Sequence, residues 1–349
     1  MNLCSSSLDP VHRRSRATLG ALIAGALIAP AAGCGLDAAR LVPDTVSQDD
    51  SLPALSLNGT RFRVETAGEP SDPVILMLHG GPGGDYEGLR AYLDLANDGY
   101  FVVLWDQRGS GLSQRHDCAD VGVDTFLADI EAITGHFTAT HDNPLFLVGH
   151  SWGAMYATMF IDEHPERVRS AVLSEPGGFT RGEIDEYLAE YLAPDFLDEG
   201  LNDILWRQQF LTADDHARAD YQLLASALDA PDRVGLDRDR PIPNVRLGGV
   251  VARCLPTSVD EFDWTTNLHL FENRILFLHS ELNQVADAEH QQRLASHYPN
   301  AELIMLADVG HDLMFQRSDE VMDLIRAHFA SFQPQTAAST IDRGSRRDD

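Results

Sequence analysis

Leu145-Phe146-Leu147-Val148-Gly149-His150-Ser151-Trp152-Gly153-Ala154 reads as an apolar strand that enters a tight turn and leaves it as a helix. Four apolar residues in succession suit a strand covered on both faces, because a strand with one wet face alternates instead. Glycines flank Ser151 at the G-x-S-x-G spacing, where the turn leaves no room for neighbouring side chains. Such a turn holds the Ser151 hydroxyl above the sheet edge, and the helix behind it favours negative charge at its N-terminus. Ser151 is therefore a candidate nucleophile.

Working outward, strand-like runs fall at Ala54 to Leu57, Arg61 to Thr66, Val74 to Leu78, Phe101 to Trp105, Ala171 to Leu173, Ile275 to Leu278 and Glu302 to Leu306. Helical patterns lie between them, at Thr125 to Thr138, Gly153 to Glu163 and Ala288 to His297. Alternating strands and helices predict an α/β fold: an eight-stranded, mostly parallel sheet with helices on both faces. The rhythm breaks after the sixth strand, and helical periodicity dominates residues 177–273. A structureless insertion of that size does not fit a compact domain, so these residues are expected to form a mostly helical cap. Residues 53–176 and 274–332 are then the core, 35–52 a flexible linker and 333–349 a disordered tail.

A nucleophilic serine needs a base arriving after the last strand, in the chain order Ser, acid, His. His311 meets that requirement, since Gly310 lets the chain turn back at the end of a strand. His150, inside the turn itself, is expected to pack or to orient it. The developing oxyanion needs two backbone N–H donors. Gly81, in the glycine-rich stretch His79-Gly80-Gly81-Pro82-Gly83 after the third strand, and Trp152 are the candidates.

Three blocks carry a resemblance: His79 to Gly83, Trp105-Asp106-Gln107-Arg108-Gly109-Ser110-Gly111-Leu112-Ser113, and Gly149 to Gly153. Together they resemble the signature blocks of the proline iminopeptidase branch of the α/β hydrolases, over roughly Leu55 to Phe332 and most clearly in the sheet. The resemblance implies the α/β-hydrolase fold and a serine aminopeptidase acting on small peptides. Carboxylesterases share the blocks, and an esterase acting on small esters is the second expectation. A non-catalytic envelope binding protein on an impaired hydrolase fold is the third. Ser at 151 argues against epoxide hydrolases and dehalogenases, which place Asp there. Asp106 and Arg108 are expected to brace their loop as an ion pair.

The family pattern fails at the acid. Its His-Gly-x-x-Asp, laid on His279-Ser280-Glu281-Leu282-Asn283, puts Asn283 where a carboxylate belongs. An amide cannot stabilise an imidazolium, so either the acid has moved or the chemistry is impaired. Glu175 is the first candidate, because it ends the sixth strand beside the seventh on the same edge, as the acid of haloalkane dehalogenases does. Asp287 and Glu281 follow, and Asp312 is badly placed to reach the imidazole Nδ1. An aminopeptidase also needs a cap carboxylate for the substrate ammonium, and Glu183, Asp185, Glu186 and Glu190 are available in kind.

Composition narrows the partners. The net charge is -28, and all 26 basic residues are arginine. That field repels phosphate backbones and excludes nucleic acid as a partner. No metal-ligand or cofactor spacing occurs, so none is expected. Arg13, Arg14 and Arg16 precede the apolar run Leu19 to Ala32, which predicts an export signal over residues 1–34. Ala31-Ala32-Gly33-Cys34 resembles a bacterial lipoprotein box, which implies a lipid on Cys34 and a place in the cell envelope; a secreted soluble form is the alternative. Cys118 and Cys254 remain, either paired in an oxidising compartment or as two free thiols.

Overall fold

The computed structural model describes residues 42–139, 143–191, 216–227 and 243–332. Eight strands form: β1 (Ala54–Leu57), β2 (Thr60–Ala67), β3 (Val74–Leu78), β4 (Phe101–Trp105), β5 (Leu145–His150), β6 (Val168–Ser174), β7 (Ile275–Ser280) and β8 (Ala301–Leu306). They lie in the order β1-β2-β4-β3-β5-β6-β7-β8. β2 is antiparallel to both β1 and β4, and every neighbouring pair from β4 to β8 is parallel. The described helices are α1 (Val123–Thr138), α2 (Trp152–Glu163), α3 (Arg181–Tyr191), α4 (His216–Ala227), α5 (Gly249–Cys254), α6 (Ala288–Ala295), α7 (Leu313–Gln316) and α8 (Ser318–Ala330). Expected strands and helices agree with these to within a few residues. A 3-10 segment, Glu87–Asp98, and α8 add to them.

Alternation along the central strands sorts the core into two layers. Leu76 and Leu78 of β3 join Leu147, Phe126, Ile130, Tyr156 and Phe160 on the face of α1 and α2. Ile75 and Met77 join Phe146, Val148, Leu89, Tyr92, Ile325 and Phe329 on the face of the 3-10 segment and α8. β3, β4 and β5 are buried along their whole length, which is why their sequences run apolar without a break. Each such side chain stabilises the fold by about 1.5–3 kcal/mol, so coverage from both sides holds the sheet.

Residues 42–52 depart from the flexible linker expected of them. Val46 and Thr45 are buried, Val46 N–H donates to Leu112 O at 2.8 Å, and Pro43 O accepts from Arg246 Nη1 at 2.6 Å. Their polar composition conceals two apolar anchors, Val42 and Val46. The expectations for residues 1–34, 35–41 and 333–349, and for the cap at 192–215 and 228–242, lie outside the described residues. Within the cap range α3, α4 and α5 are helical, as expected.

One buried ion cluster fastens α4 to the loop after β4. Asp220 Oδ2 accepts from Arg115 Nε at 2.9 Å and from Arg246 Nε at 2.7 Å, while Oδ1 accepts from Gly249 N–H at 2.9 Å. The Cys118–Cys254 disulfide joins the same loop to α5, so the two cysteines are paired rather than free. Replacing Asp220 with Ala leaves two guanidinium groups buried without their carboxylate, a loss of about 3–5 kcal/mol. Chemical denaturation of Asp220→Ala is expected to show a midpoint well below wild type; an unchanged midpoint would remove the cluster from the account.

Candidate active site

The turn after β5 has the shape that the glycines foretold. Ser151 sits at φ 54° and ψ -120°, a left-handed region that a side-chain-bearing residue occupies at a cost of about 1–3 kcal/mol. Its N–H donates to Ser174 O at 2.8 Å, so the residue is tied to the end of β6. A Cβ on Gly149 would overlap the Gly153 backbone, and one on Gly153 would overlap Leu78 O of β3. Both flanking glycines are therefore demanded by close backbone approach.

Gln107 knits the three sequence blocks together. Its N–H donates to His79 Nε2 at 3.0 Å, its side-chain amide donates to His79 O at 3.0 Å, and its Oε1 accepts from Trp152 Nε1 at 2.9 Å. Because Nε2 of His79 accepts, its proton sits on Nδ1 and is donated to Gly80 O at 2.9 Å. Burial pushes His79 down to about 4, which keeps the ring neutral and that pattern intact. The glycine-rich loop is thereby held against the serine: a Cβ on Gly80 would lie 3.2 Å from that of Ser151. Among the described residues, neither Gly81 N–H nor Trp152 N–H has a backbone acceptor. Trp152 opens α2, where the amides lack intrahelical partners, so both predicted oxyanion donors remain available.

Four consecutive strand ends bring the remaining residues together. Glu175, just past β6, accepts from His311 Nδ1 through Oε2 at 2.6 Å. Its Oε1 accepts from Ser280 N–H at 2.7 Å and from the Ser280 hydroxyl, and Asn283 Nδ2 donates to Oε2 at 3.0 Å. Glu175 stands at φ 48°, a second left-handed residue, and its N–H donates to Leu278 O of β7 at 3.1 Å. The His311 ring lies 4.8 Å from that of His150, the neighbour of Ser151. His150 also meets Phe315 edge-on at 5.2 Å, which bears out its packing role.

Burial opposes ionisation of Glu175, but the His311 hydrogen bond and charge, with Ser280 and Asn283, outweigh it and hold the carboxyl down to about 2. Burial likewise opposes protonation of His311, yet the Glu175 bond and charge outweigh it and raise the imidazole above its ordinary value. His150 is driven down to about 3 by burial and by the proximity of His311, so it stays neutral beside the pair.

The other carboxylates offered for the acid are engaged elsewhere. Asp287 caps α6 by accepting from His290 N–H at 2.9 Å, and Glu281 accepts from Asp308 N–H at 2.9 Å. The expected Asp106–Arg108 pair is also corrected. Arg108 makes a two-pronged bond to Asp129, Nε to Oδ2 and Nη2 to Oδ1, both at 2.7 Å. Asp106 accepts from Tyr86 N–H at 3.0 Å and Leu112 N–H at 2.7 Å, with Arg63 at 3.6 Å. Each therefore braces a different neighbour. In the cap, Glu183 accepts from Phe179 and Thr180 N–H and meets His297 at 2.8 Å, Asp185 pairs with Arg181 and Glu186 with Arg293. The Glu190 side chain lies outside the described residues. The roles of Ser280, Gln107 and Asp220 had no sequence signal, because each depends on which loops the fold brings together.

Residues 73–318 match the family model of the alpha/beta hydrolase fold, so the chain belongs to that family of hydrolases. It is 33% identical over 120 residues to a proline iminopeptidase of Lactobacillus helveticus, a stretch covering 33% of this chain and 39% of that protein. A probable lysophospholipase L2 of Haemophilus influenzae is 25% identical over 255 residues, covering 69% of this chain and 78% of that one. The solved proline iminopeptidase of Mycobacterium smegmatis superposes with a TM-score of 0.52 at 15% identity, over 80% of this chain and 97% of that one. At that identity the superposition speaks for the fold alone.

A carboxyl lowered from 4.5 to about 2 stabilises the native state fully above pH 4.5 and loses that contribution as the pH falls toward 2. The raised His311 acts in the opposite sense: its contribution is complete below its unfolded value and fades as the pH rises through its folded one. In denaturant titrations from pH 6 to 3, the stability gap between wild type and Glu175→Gln is expected to narrow below about pH 4.5. A constant gap would contradict the assignment of Glu175 as an ionised partner.

Proposed function

We propose that this chain is a serine hydrolase that works through an acyl-enzyme on Ser151, with His311 as base and Glu175 as acid. The observation that carries the reading is the 2.6 Å bond from His311 Nδ1 to buried Glu175 Oε2. With its proton committed there, the ring offers a basic Nε2 to the Ser151 hydroxyl. His311 takes that proton as Ser151 Oγ attacks the carbonyl carbon, and Gly81 and Trp152 N–H receive the oxyanion. The imidazolium gives its proton to the leaving amine or alcohol as the carbonyl reforms. Water, deprotonated by His311, then attacks the acyl group, and the proton returns to Ser151. Glu175 stays ionised throughout and steadies the imidazolium.

For substrate we propose the N-terminal residue of a small peptide, prolyl in type. The three sequence blocks and the likeness to proline iminopeptidase support it. Carboxylester hydrolysis is the second reading, favoured by one observation: Glu183, Asp185 and Glu186 already have partners other than a substrate ammonium. The Glu175–His311 bond weighs against a non-catalytic binding protein, since the acid missing at Asn283 is supplied from β6. We also propose export with lipid attachment at Cys34, supported by the N-terminal sequence and by a disulfide suited to an oxidising compartment. The mass of the mature N-terminus tests it: a lipid-bearing Cys34 is expected, and an unmodified amine there would count against anchoring.

Prolyl p-nitroanilide is expected to be hydrolysed by wild type and not by Ser151→Ala, and acetylation of the prolyl nitrogen is expected to abolish turnover. Turnover of simple p-nitrophenyl esters alone would move the assignment to a carboxylesterase. Glu175→Gln is expected to lower kcat by about 10⁴-fold, the size of a lost triad carboxylate. The acid limb of kcat/KM should lie above the ordinary histidine value of 6.5 in wild type and fall in that variant. An acid limb unmoved by the substitution would separate Glu175 from the base.

A further inference from the structure

Asn283 is buried in the loop between β7 and α6, and both ends of its amide are committed. Oδ1 accepts from Val285 N–H and Ala286 N–H, each at 3.1 Å. Turning the amide over would set the NH₂ group against two donors and the oxygen against a carboxylate, so the orientation is fixed by its partners. Nδ2 therefore points at Glu175 Oε2, 3.0 Å away, the same oxygen that holds His311 Nδ1. Nδ2 also lies 3.4 Å from His311 Nδ1. With Nδ1–H directed at Glu175, both nitrogens are donors and that approach is a contact only.

Glu175 thus has four donors for two oxygens, and three of them come from the β7 end. Ser280 binds Oε1 twice, while Asn283 alone shares Oε2 with the histidine. We infer that Asn283 is a positioning residue: it anchors the one carboxylate oxygen that faces His311 and does so without bringing a second negative charge. An Asp at this position would keep the bonds to Val285 and Ala286 N–H but set a carboxylate 3.0 Å from Glu175 and 3.4 Å from the imidazole. Two carboxylates so close cannot both ionise freely, and any added negative charge favours the imidazolium. The neutral amide therefore keeps His311 available as a base at lower pH than a second acid would allow. This inference rests on the Ser151–His311–Glu175 reading.

The test reads the second-order rate of Ser151 phosphorylation by diethyl p-nitrophenyl phosphate across pH, in the full chain, which needs no knowledge of the natural substrate. Asn283→Ala is expected to react about tenfold more slowly at its optimum, the loss of one hydrogen bond to a charged group. Asn283→Asp, close in shape and so a guard against misfolding, is expected to move the acid limb to higher pH. In the double variant Glu175→Gln with Asn283→Asp, a carboxylate again lies within reach of Nδ1, and at least a tenfold gain over Glu175→Gln alone is expected. A purely structural asparagine would yield no such rescue. Wild-type rates in Glu175→Gln would overturn the triad reading, and the inference with it. A slow Glu175→Gln combined with wild-type behaviour in the Asn283 variants, or with no rescue, would overturn the positioning role alone.

Discussion

A carboxylate removed from water survives as an anion only if hydrogen bonds replace its hydration, and Glu175 is such a case. It is almost wholly buried, yet His311, Ser280 and Asn283 saturate its oxygens. The rest of the site follows from this arrangement. The ionised carboxylate fixes which nitrogen of His311 carries the proton. Both Ser151 and Glu175 occupy left-handed backbone positions, at φ 54° and 48°, and strain of that kind persists only where surrounding contacts determine it. Here those contacts are ladder bonds: Ser151 N–H to Ser174 O, and Glu175 N–H to Leu278 O.

Parallel pairing is what makes the constellation possible. β5, β6, β7 and β8 all end on the same edge, so residues from four distant parts of the chain meet there, each within a few residues of its strand's end. The opposite wall is set by β3 and β4, whose following loops are joined through Gln107 to His79 and Trp152. That chain of bonds gives the three sequence blocks a physical unity. Gln107 N–H can donate to His79 Nε2 only if that ring stays neutral, and burial keeps it so.

Much of this was legible in the sequence because it is local. An unbroken apolar run marks a strand covered on both sides, and Gly149 and Gly153 mark a turn in which no Cβ fits. His311 was found from chain order and from the glycine before it. Glu175 was reached by a one-step geometric argument, that adjacent parallel strands end side by side. What escaped is non-local. Nothing in the spacing told that Arg108 would turn to Asp129 rather than to Asp106, or that Asp287 would cap α6. Pairings of that kind depend on where loops meet in space, and a polar residue suits many partners equally well. The segment 42–52 was misread for a related reason: three buried side chains, at Val42, Thr45 and Val46, suffice to fix a stretch whose average composition looks unstructured.

The central claim is that Ser151 carries the acyl group. Rapid quenching of the enzyme with p-nitrophenyl acetate, followed by peptide mass mapping, tests it at the atom concerned. The account predicts one acetyl group per chain on the peptide containing Ser151, together with an initial release of one equivalent of p-nitrophenolate, both absent from His311→Ala. Acetyl on another residue, or steady product formation with no acyl-enzyme at Ser151, would contradict it.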